Sequence, residues 1–594
     1  MTLLPKRIAI TAALAGLSLA AAACGTSSPP ATGGGTPVRG GTLTLLGKGD
    51  VDHLDTASAY YTVSYTLERA FTRQLVTYPA SNDFKQSTTV VADMATQVPS
   101  KGNGGISSDG QTYTFHIKQG VKWDTSPARQ VTAQDVVLGF KRLCNPASPV
   151  GAPGYYETTI VGFKDYCEPM LSLPANVTAI KGYIDNHQIA GIQTKGTDTV
   201  IFTLIQPASD FVNILALPFS SAAPVEYLQY VPDSADFRQH TISDGPYKIG
   251  KYSAGTEIDL DRNPAWEQST DSIRHAYVDH INVTEALDQS SVQQQIAAGT
   301  ADMEWDQPPP TADLAQLMQS HDSRLVKGPP GTLNPYMVIN LQSPNNRGAL
   351  KDLSVRQALE YAVDKVAVGQ VYGGPELNTP TSQIMFEGNA GYEAFDLYST
   401  PGSKGDAAKA RQLLAKAGWP NGITLKLIYR TNSVHPQVAQ TLQASLKSAG
   451  ITLQLQPVPP SDFYSKYLDD PGSAQRGVWD IATPGWVPDW YGNDGRTMIQ
   501  PLFDGRTYGT NTINYGDYNN AQVNSDIDKA LAASTPEEAG KYWHEADLQI
   551  MKDAVVVPIL SQRTPVFHSS RVRNFIFLPS SQQGDVTNVW LSGG

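Results

Sequence analysis

The clearest alternation of apolar and polar positions runs from residue 405 to 458. Asp406 stands where an N-cap carboxylate belongs, and Ala407, Ala410, Leu414 and Ala417 follow on one helical face. Gly418 ends that stripe. Ile423, Leu425 and Leu427 then alternate with polar neighbours, as a half-buried strand does. Val438, Leu442 and Leu446 form a second stripe that stops at Gly450, and Ile451, Leu453 and Leu455 alternate again. Helix, strand, helix, strand at this spacing predicts parallel strands joined by crossover helices. Ligands of such sheets bind beyond the carboxyl ends of the strands, which puts the loops after residues 429 and 458 on a binding edge.

The same mixture of periods recurs elsewhere. Thr132 and Asp135 fit a capping box, with Val136, Val137, Phe140 and Leu143 behind it at helical spacing. Ser354 can cap a helix that carries Val355, Ala358, Leu359, Ala362 and Val363. The start of the chain follows another logic. Lys6 and Arg7 precede an uncharged run, Ile8 to Ala23, shorter than the roughly 20 residues of a membrane span. It ends Ala21-Ala22-Ala23-Cys24-Gly25, so residues 1–23 read as a secretory signal. Cys24 after small residues is similar to a bacterial lipobox, with Ala21 where Leu is usual; the alternative is an ordinary signal with an incidental Cys. Residues 24–36 are then the lipidated Cys and a Gly/Ser/Pro/Thr tether that cannot pack.

Composition narrows the class. The chain has 594 residues, 40% hydrophobic and 17% charged, enough for a sizeable core and more than one domain. Net charge is −12, and removal of Lys6 and Arg7 with the signal leaves 42 basic against 56 acidic residues, or −14. That opposes a nucleic-acid partner. Cys144 and Cys167 remain, an even pair that predicts a disulfide in an exported chain, against two separate buried thiols. The 10 His do not cluster, so neither a metal nor a cofactor is expected. Gly-x-Ser-x-Gly is absent, and His544-Glu545 is followed by Leu548 where a zinc helix needs a second His. A secreted hydrolase is therefore the weaker class.

Six segments in order carry a resemblance: Arg39-Gly40-Gly41-Thr42-Leu43-Thr44 followed by Leu54-Asp55; Asp109 to Trp123 running on to Val131-Thr132-Ala133-Gln134-Asp135-Val136; Asp244-Gly245-Pro246-Tyr247; Val355-Arg356-Gln357-Ala358-Leu359; Ala410-Arg411-Gln412-Leu413-Leu414; and Trp486-Val487-Pro488-Asp489-Trp490. Together they resemble family 5 of the ABC-importer solute-binding proteins, the dipeptide and oligopeptide receptors. The chain departs from the family at Asp124-Thr125-Ser126 and in a segment around Cys144 to Cys167 that looks like an addition. The resemblance implies an α/β, two-lobed fold of the type II periplasmic-binding-protein kind, with an interlobe ligand cleft and an accessory subdomain. Lobe one would comprise residues 37–80, 200–283 and 561–594, its accessory subdomain 81–199, and lobe two 284–560. The run Val555 to Leu560 is the expected returning hinge strand.

The resemblance also implies site residues. Asp489 would hold a ligand α-amino group, with Trp486, Trp490 and Tyr491 around it as apolar contact area. Arg430 would take a ligand carboxylate, or else be a solvated strand-end Arg. Tyr60 and Tyr61, after a strand at Leu54-Asp55, and Trp305, past a hinge crossing, complete the candidates; core packing is the competing role for each aromatic. The expected activity is capture of a peptide for a membrane permease by a monomeric, lipid-anchored receptor on the outer face of the cell membrane. A nickel chelate, an oligosaccharide or an antibiotic-like amide is the alternative cargo on the same scaffold.

Overall fold

A computed structural model describes residues 36–149, 153–431, 433–459, 462–507 and 513–593. The signal segment 1–23, Cys24 and nearly all of the tether lie outside those residues.

Two mixed five-stranded sheets organise the molecule. In the first, Thr42–Leu46 lies between His280–Thr284 and Met303–Glu304 and runs parallel to both. Glu257–Arg262 and Tyr247–Ser253 extend it antiparallel. Leu43 and Leu45 alternate into a core shared with Phe71, Tyr247, Ile258 and Trp305. Hydrogen bonding of this sheet thus continues past residue 283, to Glu304.

The second sheet has the order Ile451–Val458, Ile423–Arg430, Ile481–Ala482, Tyr336–Ile339, Val556–Pro558. The two strands read from the sequence pair in parallel along their whole length. Helix His435–Ser448 makes the crossover between them; helix Ala407–Lys416 leads into the first, and Asp406 caps it by accepting from the Lys409 amide. Tyr336–Ile339 pairs antiparallel with both of its neighbours, so the sheet is mixed rather than parallel throughout. Asp352, not Ser354, caps Leu353–Ala362: the helix begins one residue before Ser354, and the Asp352 carboxylate accepts from the Ser354 amide.

The accessory part is an antiparallel sheet of Thr112–His116, Thr199–Thr203 and Ile192–Lys195. Helices Ala133–Arg142, Phe163–Leu171 and Val177–Asn186 accompany it. The Thr132–Asp135 capping box is present. Leu54 and Asp55 form a turn rather than a strand, because Asp55 accepts from the Ala57 amide and takes both Nη atoms of buried Arg142.

Between the two sheets the chain crosses twice. Leu325–Lys327 pairs antiparallel with Pro565–Phe567, and Thr332–Leu333 with Leu560–Gln562. The return crossing strand therefore starts at Leu560, the last residue of the expected run, whose Val556–Pro558 belongs to the second sheet.

A disulfide joins Cys144 to Cys167, 23 residues apart, and encloses helix Pro153–Glu157. Closing a loop of that length in the unfolded chain is worth about 3 kcal/mol. Replacing both cysteines with serine is expected to cost roughly that much in denaturant unfolding of the accessory part, and an unchanged midpoint would contradict it.

Candidate functional site

The loop Trp486 to Tyr491 leaves the second sheet through strand Ile481–Ala482. Leu333 on the crossing strand fixes its start, through reciprocal 2.9 Å backbone bonds with Trp486. The Trp486 indole is spent on the Thr497 carbonyl at 2.8 Å, and the Trp490 indole on Asn493 at 2.6 Å. Tyr491 packs against Phe84 and Phe386, and its hydroxyl accepts from Gln582 at 2.7 Å. Trp490 itself is buried in the aromatic core of the first lobe and its accessory part. The lobes therefore meet at this loop.

Between those anchors sits Asp489, and its Oδ2 accepts from the Tyr155 hydroxyl at 2.5 Å and the Tyr60 hydroxyl at 3.2 Å. Both phenols belong to the opposite side of the interface. No cation answers the carboxylate among the described residues. Burial pushes its pKa from near 3.8 up to about 6, against the pull of the two hydroxyls. Burial and the facing carboxylate raise both tyrosines well above their usual range, so they remain donors.

Arg496, on helix Gly495–Phe503, reaches across beside this point. Its Nη2 donates to Thr158 Oγ1 at 2.7 Å, Thr159 Oγ1 at 3.0 Å and the Tyr155 carbonyl at 3.2 Å. Its Nη1 lies 3.4 Å from Asp210, and the guanidinium covers the Tyr155 ring at 5.3 Å. The segment that receives it is held by the disulfide. Tyr155 and Arg496 were not singled out from the sequence, because both partners belong to the added segment and its contacts.

Arg430 ends its strand as expected, stacked on Phe463 and Tyr464 at 5.2 and 5.6 Å. It opens onto a crevice of about 580 Å³ that Trp486, Tyr372, His435 and Asn334 also line. Arg430 Nε, Tyr372 hydroxyl, His435 Nδ1 and Asn334 Oδ1 are buried there without hydrogen-bond partners among the described residues. Burial and the Arg430 charge hold His435 down to about 3, hence neutral. Asp489 does not line this crevice. It lines a separate small cavity of about 30 Å³.

Five candidates line neither cavity: Trp490, Tyr491 and Tyr60, whose contacts are given above, and Trp305 and Tyr61. Trp305 is 1% exposed in the first lobe's core, where its indole donates to the Gly49 carbonyl at 2.9 Å. Tyr61 is 63% exposed, whereas its neighbour Tyr60 turns inward. Asp52 sets that division by accepting from both backbone amides, at 2.7 and 3.1 Å.

The sequence profile described as bacterial extracellular solute-binding proteins, family 5 middle, matches residues 89–510. The chain belongs to that family. Among curated relatives of this solute-binding protein, heme-binding protein A of Haemophilus influenzae is 25% identical over 80% of each chain. The glutathione-binding protein GsiB of Salmonella typhi is 24% identical over 80% of this chain and 82% of its own. Among solved structures, clavulanic acid biosynthesis oligopeptide binding protein 2 superposes with a TM-score of 0.82 at 25% identity, over 93% of this chain and 96% of that one. The periplasmic binding protein DppA of Helicobacter pylori, in complex with the peptide STSA, gives 0.70 at 20% identity, over 93% and 98%. The fold is that of the type II periplasmic binding proteins. No helix among the described residues is long and apolar enough to cross a membrane.

The Asp489 carboxyl imposes a pH signature on the ligand-free solute-binding protein. A carboxyl raised on folding costs stability once ionised. The cost is absent below the ordinary value near 3.8 and complete above about 6. It amounts to at most about 3 kcal/mol. Asp489→Asn is therefore expected to be more stable than the parent above pH 7 in thermal unfolding, with the gap closing as pH falls through 6 toward 4. A gap that stays constant over that range would contradict the burial.

Proposed function

We propose that the protein is the extracytoplasmic receptor of an ABC importer and captures peptides or peptide-like amines for the permease. One observation carries the reading: a carboxylate buried between two lobes and answered by two phenols, with no cation among the described residues. A ligand ammonium group placed there supplies the missing charge, in a dry setting where a charge-assisted hydrogen bond is strongest. Trp486, Trp490 and Tyr491 hold the loop that presents the carboxylate, and Arg430 offers an unpartnered donor to the larger crevice. The printed names of relatives agree with this range, since they include binders of glutathione and oligopeptides. Closure of the lobes over cargo is the signal for docking on the permease. Residues 1–23 are removed on export, and Cys24 carries the lipid that tethers a monomer to the membrane.

A relative that binds heme keeps a non-peptide cargo as the second reading. Tryptophan fluorescence titration with pooled di- to pentapeptides separates the two. Saturable binding is expected, weakened about tenfold or more by N-acetylation of the pool or by Asp489→Asn. No response to any pool, or equal affinity for the acetylated one, would overturn the peptide assignment.

A further inference from the structure

Arg496 is fully buried, yet most of its bonds leave its own lobe. Helix Gly495–Phe503 packs into the second lobe through Met498, Ile499, Leu502 and Phe503. Within that helix, Gln500 Oε1 accepts from Arg496 Nε at 2.9 Å, one turn on, and aims the guanidinium outward. The other partners belong to the first lobe and its accessory part. Nη1 lies 3.4 Å from both Asp210 oxygens. Nη2 takes Thr158 Oγ1, Thr159 Oγ1 and the Tyr155 carbonyl, as described above. All three guanidinium nitrogens are thereby answered, and none is left over for cargo. Neither Arg496 nor any of these first-lobe partners lines the crevice or the small cavity.

The seat that receives Arg496 is rigid. The Cys144–Cys167 disulfide brackets it. The Ile205 amide, just past strand Thr199–Thr203 of the accessory sheet, donates to the Thr159 carbonyl at 2.9 Å. Tyr156 stacks on Phe163 with ring centroids 5.6 Å apart. A preformed seat loses little freedom when the guanidinium docks, and the planar fork of an arginine meets several acceptors at once.

Arg73 and Arg274 pair with acids of their own lobe, so they stabilise it whether the lobes are open or shut. The first-lobe bonds of Arg496 exist only while the lobes meet. Their free energy therefore enters the opening step and not the stability of either lobe alone. Cargo enters the open protein, so such a contact leaves association unchanged and slows release.

We infer that Arg496 is a positioning residue for capture: an interlobe clasp that touches no cargo, holds the lobes shut from the accessory side and sets how long cargo is retained. The inference rests on capture by lobe closure and is independent of the role of Asp489.

The test uses the full mature protein with one spin label on each lobe, and its first arm needs no cargo. In ligand-free protein at pH 7.5, Arg496→Gln is expected to lower the ratio of short to long interlobe distances about tenfold, and Arg496→Lys by less. The second arm follows pooled dipeptides by stopped-flow tryptophan fluorescence. There Arg496→Gln is expected to raise the release rate about tenfold or more, with the association rate unchanged. A purely structural role would lower the unfolding midpoint and leave both readouts of the folded protein as in the parent, which would overturn the clasp. Should Arg496→Gln fail to fold, Thr158→Val with Thr159→Val removes two acceptors from the seat and is expected to shift both readouts the same way. Unchanged distances, or an affinity loss carried by the association rate, would overturn the clasp. Shifted distances without any dipeptide response would overturn the peptide reading and leave the clasp in place.

Discussion

A carboxyl group shut between two lobes without a counter-charge is the constraint around which the rest of this molecule is arranged. Desolvation of an ion is expensive, and two phenolic hydroxyls offset only part of the cost for Asp489. The lobes can therefore meet in two ways at neutral pH: with the acid protonated, or with a cation between them. A ligand that brings an ammonium group removes the penalty and favours the closed arrangement by the same amount. The Arg496 contacts to Tyr155, Thr158 and Thr159 then hold the interface, on a segment that the Cys144–Cys167 disulfide restrains. Capture and closure are in this account one equilibrium.

Contrast with the buried ions nearby sharpens the point. Arg73 and Arg274 grip Asp93 at 2.8 and 2.9 Å, and Arg274 also takes Asp271 at 3.1 Å. All four are fully buried and mutually paired, so that cluster fastens the first lobe and asks nothing of a ligand. Asp489 and Arg430 Nε are buried or half-buried and incomplete among the described residues. The difference between a balanced and an unbalanced set, rather than burial alone, marks the places where cargo belongs.

Much of the frame was legible in the sequence. The stripes of Ala410 and Leu414, of Val438, Leu442 and Leu446, and the alternation at 423–427 and 451–455 report local periods, and local periods survive folding. The Thr132–Asp135 cap was legible for the same reason, and the pairing of Cys144 with Cys167 because two cysteines remain in an exported chain. The crossing strands were harder, because Leu325–Lys327 and Pro565–Phe567 are three residues each and take meaning only from a partner far along the chain. Asp489 could be nominated from its motif. Tyr155 and Arg496 could not: each matters through a contact between segments hundreds of residues apart, and nothing near them in the sequence announces it. Trp305 and Tyr61 show the converse, since an aromatic near the right place can serve a core or face the solvent.

The claim that an unbalanced Asp489 sets the interlobe equilibrium is tested most directly by the distance between the lobes in ligand-free protein. Spin labels at one exposed position on each lobe, read by pulsed dipolar spectroscopy between pH 7.5 and 5, report it. The account predicts that the short-distance population grows as pH falls through about 6 in the parent, and that Asp489→Asn is closed already at pH 7.5 with little change on acidification. Distance distributions that are the same in both proteins at every pH would contradict it.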